Sequence, residues 1–361
     1  MDSKNNSKTR TLHLPSATEL IGEVTLRMAP LLGLPRILSD KGLHPDKVIR
    51  ETGIDPALFQ DPENTISFIA IGRLFVRTAA VTGIEYPGFE LGRHASLDVL
   101  GKVGQLMSFA PDFGTALRAL IRQFHLHDRG AVPILWETGS QSMFGYTLYS
   151  QGIPGRDHIY DAALAIAINT FKELVGKDWK PSDVLMFRDP PVDRSVFRQH
   201  FGPRLHFGAE HAAIAFPTTD LERPVQGSDP HAYALLNEEL EELDLLSGGA
   251  TLTNRVRRLI RGMIASGAGL HGIDLRGVAK LMERHPRTLT RHLQAEGAAF
   301  SNILDQVRYE FAQQMLRDTN LPIADIGLLL GYAESAAFNH AFRRWSGMTA
   351  TAWQSGNQST T

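Results

Sequence analysis

The sequence of 361 residues contains no cysteine. This absence excludes disulfide bonds, thiolate zinc sites and cysteine nucleophiles. The first 20 residues are polar and lack the apolar core of a secretory signal, and no later stretch of about 18 apolar residues suggests a membrane span. We therefore expect a cytoplasmic protein that does not enter a membrane.

Common catalytic and phosphate-binding motifs are also missing, including the nucleophile elbow Gly-x-Ser-x-Gly, the P-loop and the zinc motif His-Glu-x-x-His. The one metal-like cluster is FHLHDRG, which contains His125, His127 and Asp128. A facial His/carboxylate site needs a third ligand at suitable spacing, and Glu137 does not provide it. We favour a helix end, where the C-terminal dipole suits histidine. We expect no metal, no cofactor and no enzymatic activity.

The charge of the chain is distributed unevenly. Residues 251–361 contain 13 Lys and Arg against 8 Asp and Glu, whereas the preceding 250 residues contain 24 against 31. Twelve of the 13 basic residues are Arg, whose planar guanidinium group suits phosphates and guanine edges. A basic C-terminal module on an acidic body suggests a nucleic-acid reader attached to another domain.

The first two thirds of the chain predict a disordered tail at residues 1–16 and a mixed α/β domain at residues 17–230. Helices are predicted in SFIAIGRLFVRTAAVTG, between a Ser67 cap and Gly83, and in DFGTALRALIRQFHLHD, capped by Asp112. AVPILWET and SMFGYTLYS predict a β-hairpin. The remaining predicted elements are a buried helix in DHIYDAALAIAINTFKELVG, short strands at 184–187 and 212–216, and a helix near 193–201.

Residues 231–250 predict an amphipathic helix that ends in a short linker, SGGA. Leu236, Leu240 and Leu243 fall at positions i, i+4 and i+7, on one face of the helix. Two interpretations stay open. The helix either packs on the surface of its own domain, as amphipathic helices usually do, or contributes to a dimer interface.

Residues 274–297, DLRGVAKLMERHPRTLTRHLQAEG, predict a helix–turn–helix. Asp274 suits the N-cap of the first helix, Pro286 suits the first turn of the second, and Gly297 suits its end. Leu289 and Leu293 form the buried face of the second helix. Its outward face, predicted to contact DNA, consists of Arg287, Thr290, Arg291 and Gln294.

Residues 321–347, LPIADIGLLLGYAESAAFNHAFRRWSG, repeat this scheme with a turn at Gly331. The aromatic stripe of Phe338, Phe342 and Trp345 is expected in the core. The predicted DNA-facing residues are Ser335, Ala336, Asn339, His340 and Arg343.

A single helix is predicted between the two motifs, with Ile303, Val307, Phe311 and Met315 on one stripe. Its length could hold the two recognition helices near one turn of B-DNA apart, about 34 Å. One monomer would then contact two successive major-groove segments of double-stranded DNA.

Residues 274–353 resemble the DNA-binding domain of the AraC/XylS family of bacterial transcription regulators. The resemblance rests on three segments, HPRTLTRHLQAEGAAF, VRYEFAQQMLRDTNLPIADIGLLLGY and AAFNHAFRRWSGMTATAW. Residues 20–215 are similar to the arabinose-binding-type N-terminal domain of one branch, through LGRHASLDVLGKVGQLMSFAPDFGTALRALIRQF. The resemblance implies a DNA-binding regulator, usually an activator that works with RNA polymerase. It also implies that the N-terminal domain senses a small-molecule effector or forms a homodimer.

The second recognition helix departs from the family pattern. His340 replaces a usual Arg, Ala350 a usual Pro and Gln354 a usual Arg, whereas Arg287 and Arg291 stand where the family places Arg. The resemblance therefore implies that the second helix binds DNA more weakly or reads different bases, and that the first contributes most of the specificity.

These observations together predict an α/β N-terminal sensing domain followed by an all-α domain, residues 251–356, with two helix–turn–helix motifs joined by a linker helix. Two other interpretations stay open. One is a small-molecule-binding enzyme or nucleotide-sensing domain fused to a DNA reader, and the other is an N-terminal domain that only dimerises. No motif in residues 17–230 is specific enough to assign effector-binding residues.

Overall fold

The computed structural model describes residues 25–148, 152–209, 211–246, 251–265, 273–318 and 322–358. The predicted tail at residues 1–16 and the SGGA linker lie outside the described residues. Within the described residues the chain first forms a mixed α/β region and then a series of helices. The predicted fold class is therefore confirmed.

The N-terminal region begins with a two-stranded ribbon in which β1 (Thr25–Arg27) pairs antiparallel with β2 (Thr65–Ser67). Among the described residues, the α-helices before the larger sheet are α1 (Leu34–Asp40), α2 (Pro45–Arg50), α3 (Phe68–Thr82), α4 (Pro87–Gly92), α5 (Lys102–Phe109) and α6 (Phe113–Gln123). Ser67 caps α3, and Gly83 ends it with a φ of +69°. The carboxylate of Asp112 caps α6 by accepting from the Thr115 N–H at 2.7 Å. These predicted helix boundaries are confirmed.

A five-stranded sheet follows, with strand order β3-β4-β7-β5-β6. Its strands are β3 (Ala131–Thr138), β4 (Gln141–Leu148), β5 (Asp183–Met186), β6 (Leu205–Phe207) and β7 (Ala212–Pro217). The predicted hairpin is the β3–β4 pair, which turns through Gly139 at a φ of +64°. Among the described strand pairs of this sheet, β5–β6 is parallel and the others are antiparallel. The two helices inserted between these strands are α7 (Arg156–Val175) and α8 (Ser195–Phe201).

An aromatic cluster joins α6 and α7 to the sheet. Phe113 of α6, Phe171 of α7, Trp179 and Phe216 of β7 are buried, and their ring centroids lie 4.9–6.2 Å apart. Edge-to-face pairs of this kind contribute roughly 0.5–1.5 kcal/mol each beyond the area that they bury. This cluster fixes α6 and α7 against the sheet.

The predicted amphipathic helix is α9 (Pro230–Leu246), and it packs on its own domain. Leu236 and Leu240 are buried against Leu106 of α5 and Ala119 of α6, whereas Leu243 is 40% exposed. The interpretation as a dimer helix is therefore wrong for Leu236 and Leu240, because their side chains are already covered by the same chain.

The C-terminal region is entirely helical within the described residues. Its helices are α10 (Leu252–Ala265), α11 (Leu275–Leu281), α12 (Pro286–Ala295), α13 (Phe300–Asp318), α14 (Ile323–Leu329), α15 (Ser335–Ser346) and α16 (Ala350–Gln358). In the described part of the chain, no helix is both long and apolar enough to cross a bilayer.

Candidate nucleic-acid interface

The first helix–turn–helix consists of α11 and α12. The Asp274 carboxylate caps α11 by accepting from the Gly277 N–H at 2.7 Å. Glu283 turns the chain with a φ of +49°, a conformation rare for a residue other than glycine. The His285 ring then caps α12, and Pro286 occupies its first turn. The turn at Glu283, the His285 cap and Pro286 therefore fix the residue at which α12 begins.

The two faces of α12 are clearly separated. Leu289 and Leu293 are fully buried, whereas Arg287, Arg291 and Gln294 are exposed. Arg287, Arg291 and Gln294 are spaced i, i+4 and i+7, and therefore share one side of the helix. The structure thus brings together three of the four predicted contact residues on a face that points away from the core.

Thr290, the fourth predicted contact, is half-buried. Its hydroxyl donates to the Pro286 carbonyl oxygen at 3.0 Å, one turn earlier in the helix. Because this bond engages the hydroxyl, the methyl group is the part of Thr290 best suited to meet a base.

The second helix–turn–helix consists of α14 and α15, with the predicted turn at Gly331, where φ is +83°. Phe338 and Phe342 are fully buried, as expected from their spacing. Trp345 is half-buried beside Tyr309 and Tyr332, at centroid distances of 5.8 and 6.4 Å. The aromatic stripe therefore packs, as predicted.

The predicted outward residues of α15 differ in their surroundings. Ser335, Ala336, His340 and Arg343 are exposed, whereas Asn339 is half-buried. The Asn339 amide donates to the Ser335 carbonyl oxygen at 3.1 Å. Ala350 is buried at the first residue of α16, a position that also tolerates proline. The Ala350 departure from the family pattern is therefore compatible with the same helix start, and Gln354 lies half-buried in α16.

Linker helix α13 holds the second motif in place. Ile303 and Val307 are buried, and Phe311 and Met315 are half-buried. Arg308 donates to the Leu330 carbonyl oxygen at 2.9 Å, beside the turn of the second motif. This contact links the orientation of α14 and α15 to that of α13.

Part of the basic excess of this domain serves internal packing rather than an outward face. Arg257 donates to Gln306 at 2.7 Å, and Arg261 forms an ion pair with Glu310, both on α13. The charge count alone could not show this. The apolar stripe of α10, with Val256 and Ile260 buried, was the signal that this helix packs.

The described residues of the DNA-binding region contact the N-terminal domain at several places. Glu283, in the turn of the first motif, forms ion pairs with Arg118 and Arg122 of α6. Gly262 of α10 faces Val132 of β3 so closely that an added Cβ would lie 2.1 Å from the Val132 Cγ1. These contacts were not predicted from the sequence, since nothing local marks them.

His125 and His127 lie at a helix end, as predicted, in and just after the 3-10 turn Phe124–Leu126. Both are buried, and burial lowers the pKa of each imidazole to about 3. The Asp128 carboxylate accepts from two backbone N–H groups and from the Tyr146 hydroxyl. Among the described residues, no group of three or more metal-ligating side chains occurs.

Several known transcription regulators are similar to this chain. The HTH-type transcriptional regulator VirS of Mycobacterium tuberculosis is 27% identical over 327 residues, which cover 90% of this chain and 94% of VirS. The ornithine utilization regulator of Pseudomonas aeruginosa is 24% identical over 321 residues, which cover 86% of this chain and 91% of that regulator. The crystal structure of the transcriptional regulator CdpR from P. aeruginosa is also similar, with 19% sequence identity and a TM-score of 0.45. The match covers 91% of this chain and 98% of the CdpR chain.

Two sequence profiles divide the chain between them. The profile described as the arabinose-binding domain of AraC transcription regulators matches residues 42–225, which is half of the chain. A helix–turn–helix domain profile matches residues 278–356, which contain α12 and α15. The chain therefore belongs to the AraC-type transcription regulators, with an arabinose-binding-type N-terminal domain and a helix–turn–helix DNA-binding domain.

Proposed function

We propose that this regulator reads double-stranded DNA with α12 and α15. The proposed contact residues are Arg287, Thr290, Arg291, Gln294, Ser335, Ala336, Asn339, His340 and Arg343. The single observation that carries the proposal is the exposed face of Arg287, Arg291 and Gln294, opposite the buried Leu289 and Leu293. A recognition helix needs this separation of a packed face from a basic, hydrogen-bonding one.

The proposed contacts divide by chemistry. Arg287 and Arg291 each present a guanidinium fork that fits a guanine edge or a phosphate. The Thr290 methyl group suits a thymine methyl. His340 presents an imidazole ring instead of a guanidinium fork, so we assign it a supporting contact. We propose that α12 sets most of the specificity and α15 mainly adds affinity.

Footprinting of the bound genomic sites, followed by mobility-shift titration, tests this proposal. On a footprinted duplex, the double variant Arg287→Ala and Arg291→Ala should lose at least about 30-fold in affinity, since two base contacts at about 1–3 kcal/mol each sum to about 2–6 kcal/mol. Arg50→Ala provides the matched control, because Arg50 is an exposed arginine on α2. Equal losses in the double variant and in Arg50→Ala would contradict the assignment.

We further propose that a small-molecule effector in the N-terminal domain controls DNA binding, and that the regulator acts as an activator on RNA polymerase. The contact of Arg118 and Arg122 with Glu283 supports this control, because it joins α6 directly to the first helix–turn–helix. A change at α6 would alter the position of residues 251–356. The name of the P. aeruginosa relative, a regulator of ornithine utilization, agrees with control by a metabolite.

We also propose a homodimer, with a revised contribution from α9. Leu243 and Leu235 are 40% and 57% exposed on this helix, whereas Leu240 is buried within the chain. Sedimentation of the full chain at tens of micromolar should show a dimer that Leu243→Glu weakens. Leu240→Glu should instead lower the stability of the fold. A monomer at this concentration would refute the proposal.

A further inference from the structure

The N-terminal domain contains a recessed apolar cavity of about 90 Å³. Phe75 of α3, Leu120 of α6, Phe144 of β4 and Phe171 of α7 form part of its wall. An apolar cavity of about 150 Å³ holds benzene. This cavity therefore encloses roughly four non-hydrogen atoms, and the rest of a ring-sized ligand would lie against its incompletely covered side.

Helix α7 presents an incompletely covered apolar face to this cavity. Ala163, Ile166 and Ala167 line it, and all three are only half-buried in the described structure. The sequence predicted a buried helix here, and the remaining exposure lies on the side of the cavity. An apolar molecule bound against these residues would remove that surface from water, which is favourable.

Of the residues that the structure describes, four polar side chains line the cavity, and two of these contain an atom with no hydrogen-bond partner in that part of the chain. The Asp128 carboxylate is already engaged by two backbone N–H groups at 2.7 and 2.9 Å and by the Tyr146 hydroxyl at 2.8 Å. By contrast, His127 Nδ1 and Thr170 Oγ1 are buried with no hydrogen-bond partner among the described residues. Burying such atoms unpaired is costly, so both favour a ligand that supplies the missing bond.

The charge of the lining restricts the chemistry of that ligand. Among the described residues that line the cavity, none is Lys or Arg, and burial raises the pKa of Asp128 to about 7, so neither a carboxylate nor an ammonium group would meet a full opposite charge there. Burial keeps His127 neutral near pH 7 by lowering its pKa to about 3. A sugar fits poorly as well, because its many hydroxyl groups would be left unpaired against an apolar wall.

We propose that this cavity binds an uncharged, mainly apolar molecule whose hydroxyl or carbonyl oxygen hydrogen-bonds His127 and Thr170. The inference rests on the proposed function, because it places the effector site of the N-terminal domain and names the chemical class of the effector. A hydroxyl group can both donate and accept, so it can satisfy the two unpartnered atoms in either tautomer of the imidazole.

The same cavity borders the DNA-binding region through one short segment. Phe124 and Asp128 line it and also line a second cavity of about 30 Å³, whose other wall includes Arg255, Arg258 and Arg284. A ligand that moves Phe124 or Asp128 therefore acts directly on side chains that belong to α10 and to the first helix–turn–helix.

Calorimetric titration of the full chain with matched probes tests the inference. Benzyl alcohol, benzoate, benzylamine and L-arabinose separate neutral, anionic, cationic and polyhydroxylated ligands. Benzyl alcohol should bind at least about tenfold more tightly than the other three. Thr170→Val and His127→Leu should each weaken its binding roughly fivefold. Ala163→Leu should abolish binding by filling the cavity, whereas Ala80→Leu, on the exposed face of α3, should bind as the wild type does.

Each alternative outcome has a distinct meaning. Equal binding of benzoate, unchanged binding in Ala163→Leu, or no binding of benzyl alcohol by a chain that still binds its DNA would overturn the inference. Binding that requires removal of residues 1–24 would also overturn it, since the occupant would then be a segment of this chain. DNA affinity without any probe is measured separately, so that failure of the DNA-binding proposal is recognised independently.

Discussion

Arg122, at the C-terminal end of α6, forms an ion pair with Glu283 in the turn of the first helix–turn–helix. The same guanidinium donates to the Tyr233 hydroxyl at 2.9 Å and to the Asn237 side chain at 3.2 Å, and Arg118 reaches Glu283 at 3.1 Å. Two arginines of the N-terminal domain therefore hold one carboxylate of the DNA-binding domain. The Arg122 side chain is only 8% exposed, so this contact is better shielded from water than an ordinary surface ion pair.

We expect Glu283→Gln to loosen the contact between the domains. Its neutral amide leaves the largely buried Arg122 without its opposing charge, at a cost of about 1–3 kcal/mol. Urea unfolding should show this loss, and amide hydrogen exchange should accelerate across residues 275–297. Lys280→Gln is the control, because the Lys280–Glu137 pair is largely exposed and contributes little. Equal effects of the two variants would show that Arg122 and Glu283 are not coupled.

Gly262 gives a second test of the domain contact, because its helical preference and its packing act in opposite directions. In a free helix, Gly→Ala stabilises by roughly 0.5–1 kcal/mol. Here the added Cβ would lie 2.1 Å from Val132 and 3.0 Å from Ile134. We therefore expect Gly262→Ala to destabilise the chain by about 1–3 kcal/mol, as overpacked sites do.

Thermal unfolding measures this effect against Gly277→Ala as the control. A Cβ at Gly277 would meet only the capping Asp274 Oδ1, at 3.3 Å, and alanine has the higher helical preference, so this variant should be neutral or stabilised. A stabilised Gly262→Ala variant would mean that α10 does not pack on β3 as described.

Local signals in the sequence predicted much of the fold. Caps at Ser67, Asp112 and Asp274 and the turn at Gly331 were identified because each depends on a side chain or a positive φ within a few residues. The outward face of α12 could be predicted for the same reason. The spacing of the apolar residues and the capping residues that define this face all belong to α12 and its two ends.

Features that depend on distant partners could not be read in this way. The stripe of Leu236 and Leu240 is the same whether the covering surface belongs to this chain or to a second copy. The cavity beside α7 depends on whether residues far apart in sequence fill the space between them. Strand β6 has three residues, too few for an alternating pattern.

Burial of His127 predicts a specific dependence of stability on pH. Burial, aided by the charge of Arg27, lowers the pKa of His127 to about 3, below its usual value of about 6.5. The unfolded chain therefore binds a proton between these values while the folded chain does not. The contribution of His127 is fully present above pH 6.5 and is lost as the pH falls toward 3.

Acidification from pH 7 to pH 5 should cost about 2 kcal/mol through this residue alone. The His127→Gln variant cannot titrate here, so its free energy of unfolding should fall by about 2 kcal/mol less over the same interval. Urea titrations at both pH values measure the difference, with Thr170→Val as a control that keeps the wild-type dependence. A constant gap between wild type and His127→Gln would contradict the prediction.

The two recognition helices should differ in what their loss does to DNA binding. Arg291 of α12 is exposed, and its guanidinium group can donate two hydrogen bonds to one guanine. We expect Arg291→Ala to cost about 1–3 kcal/mol on the true site, and much less on scrambled DNA. His340→Ala should lower the affinity for both duplexes alike and by less.

His340→Arg should tighten binding to both duplexes, since it adds a permanent charge near the DNA backbone. It should also steepen the salt dependence of the affinity by about 0.9 in log–log slope. Titrations of specific and scrambled duplexes across a salt series separate these cases. The assignment of α12 as the main reader is wrong if Arg291→Ala leaves the specificity ratio unchanged while His340→Ala abolishes it.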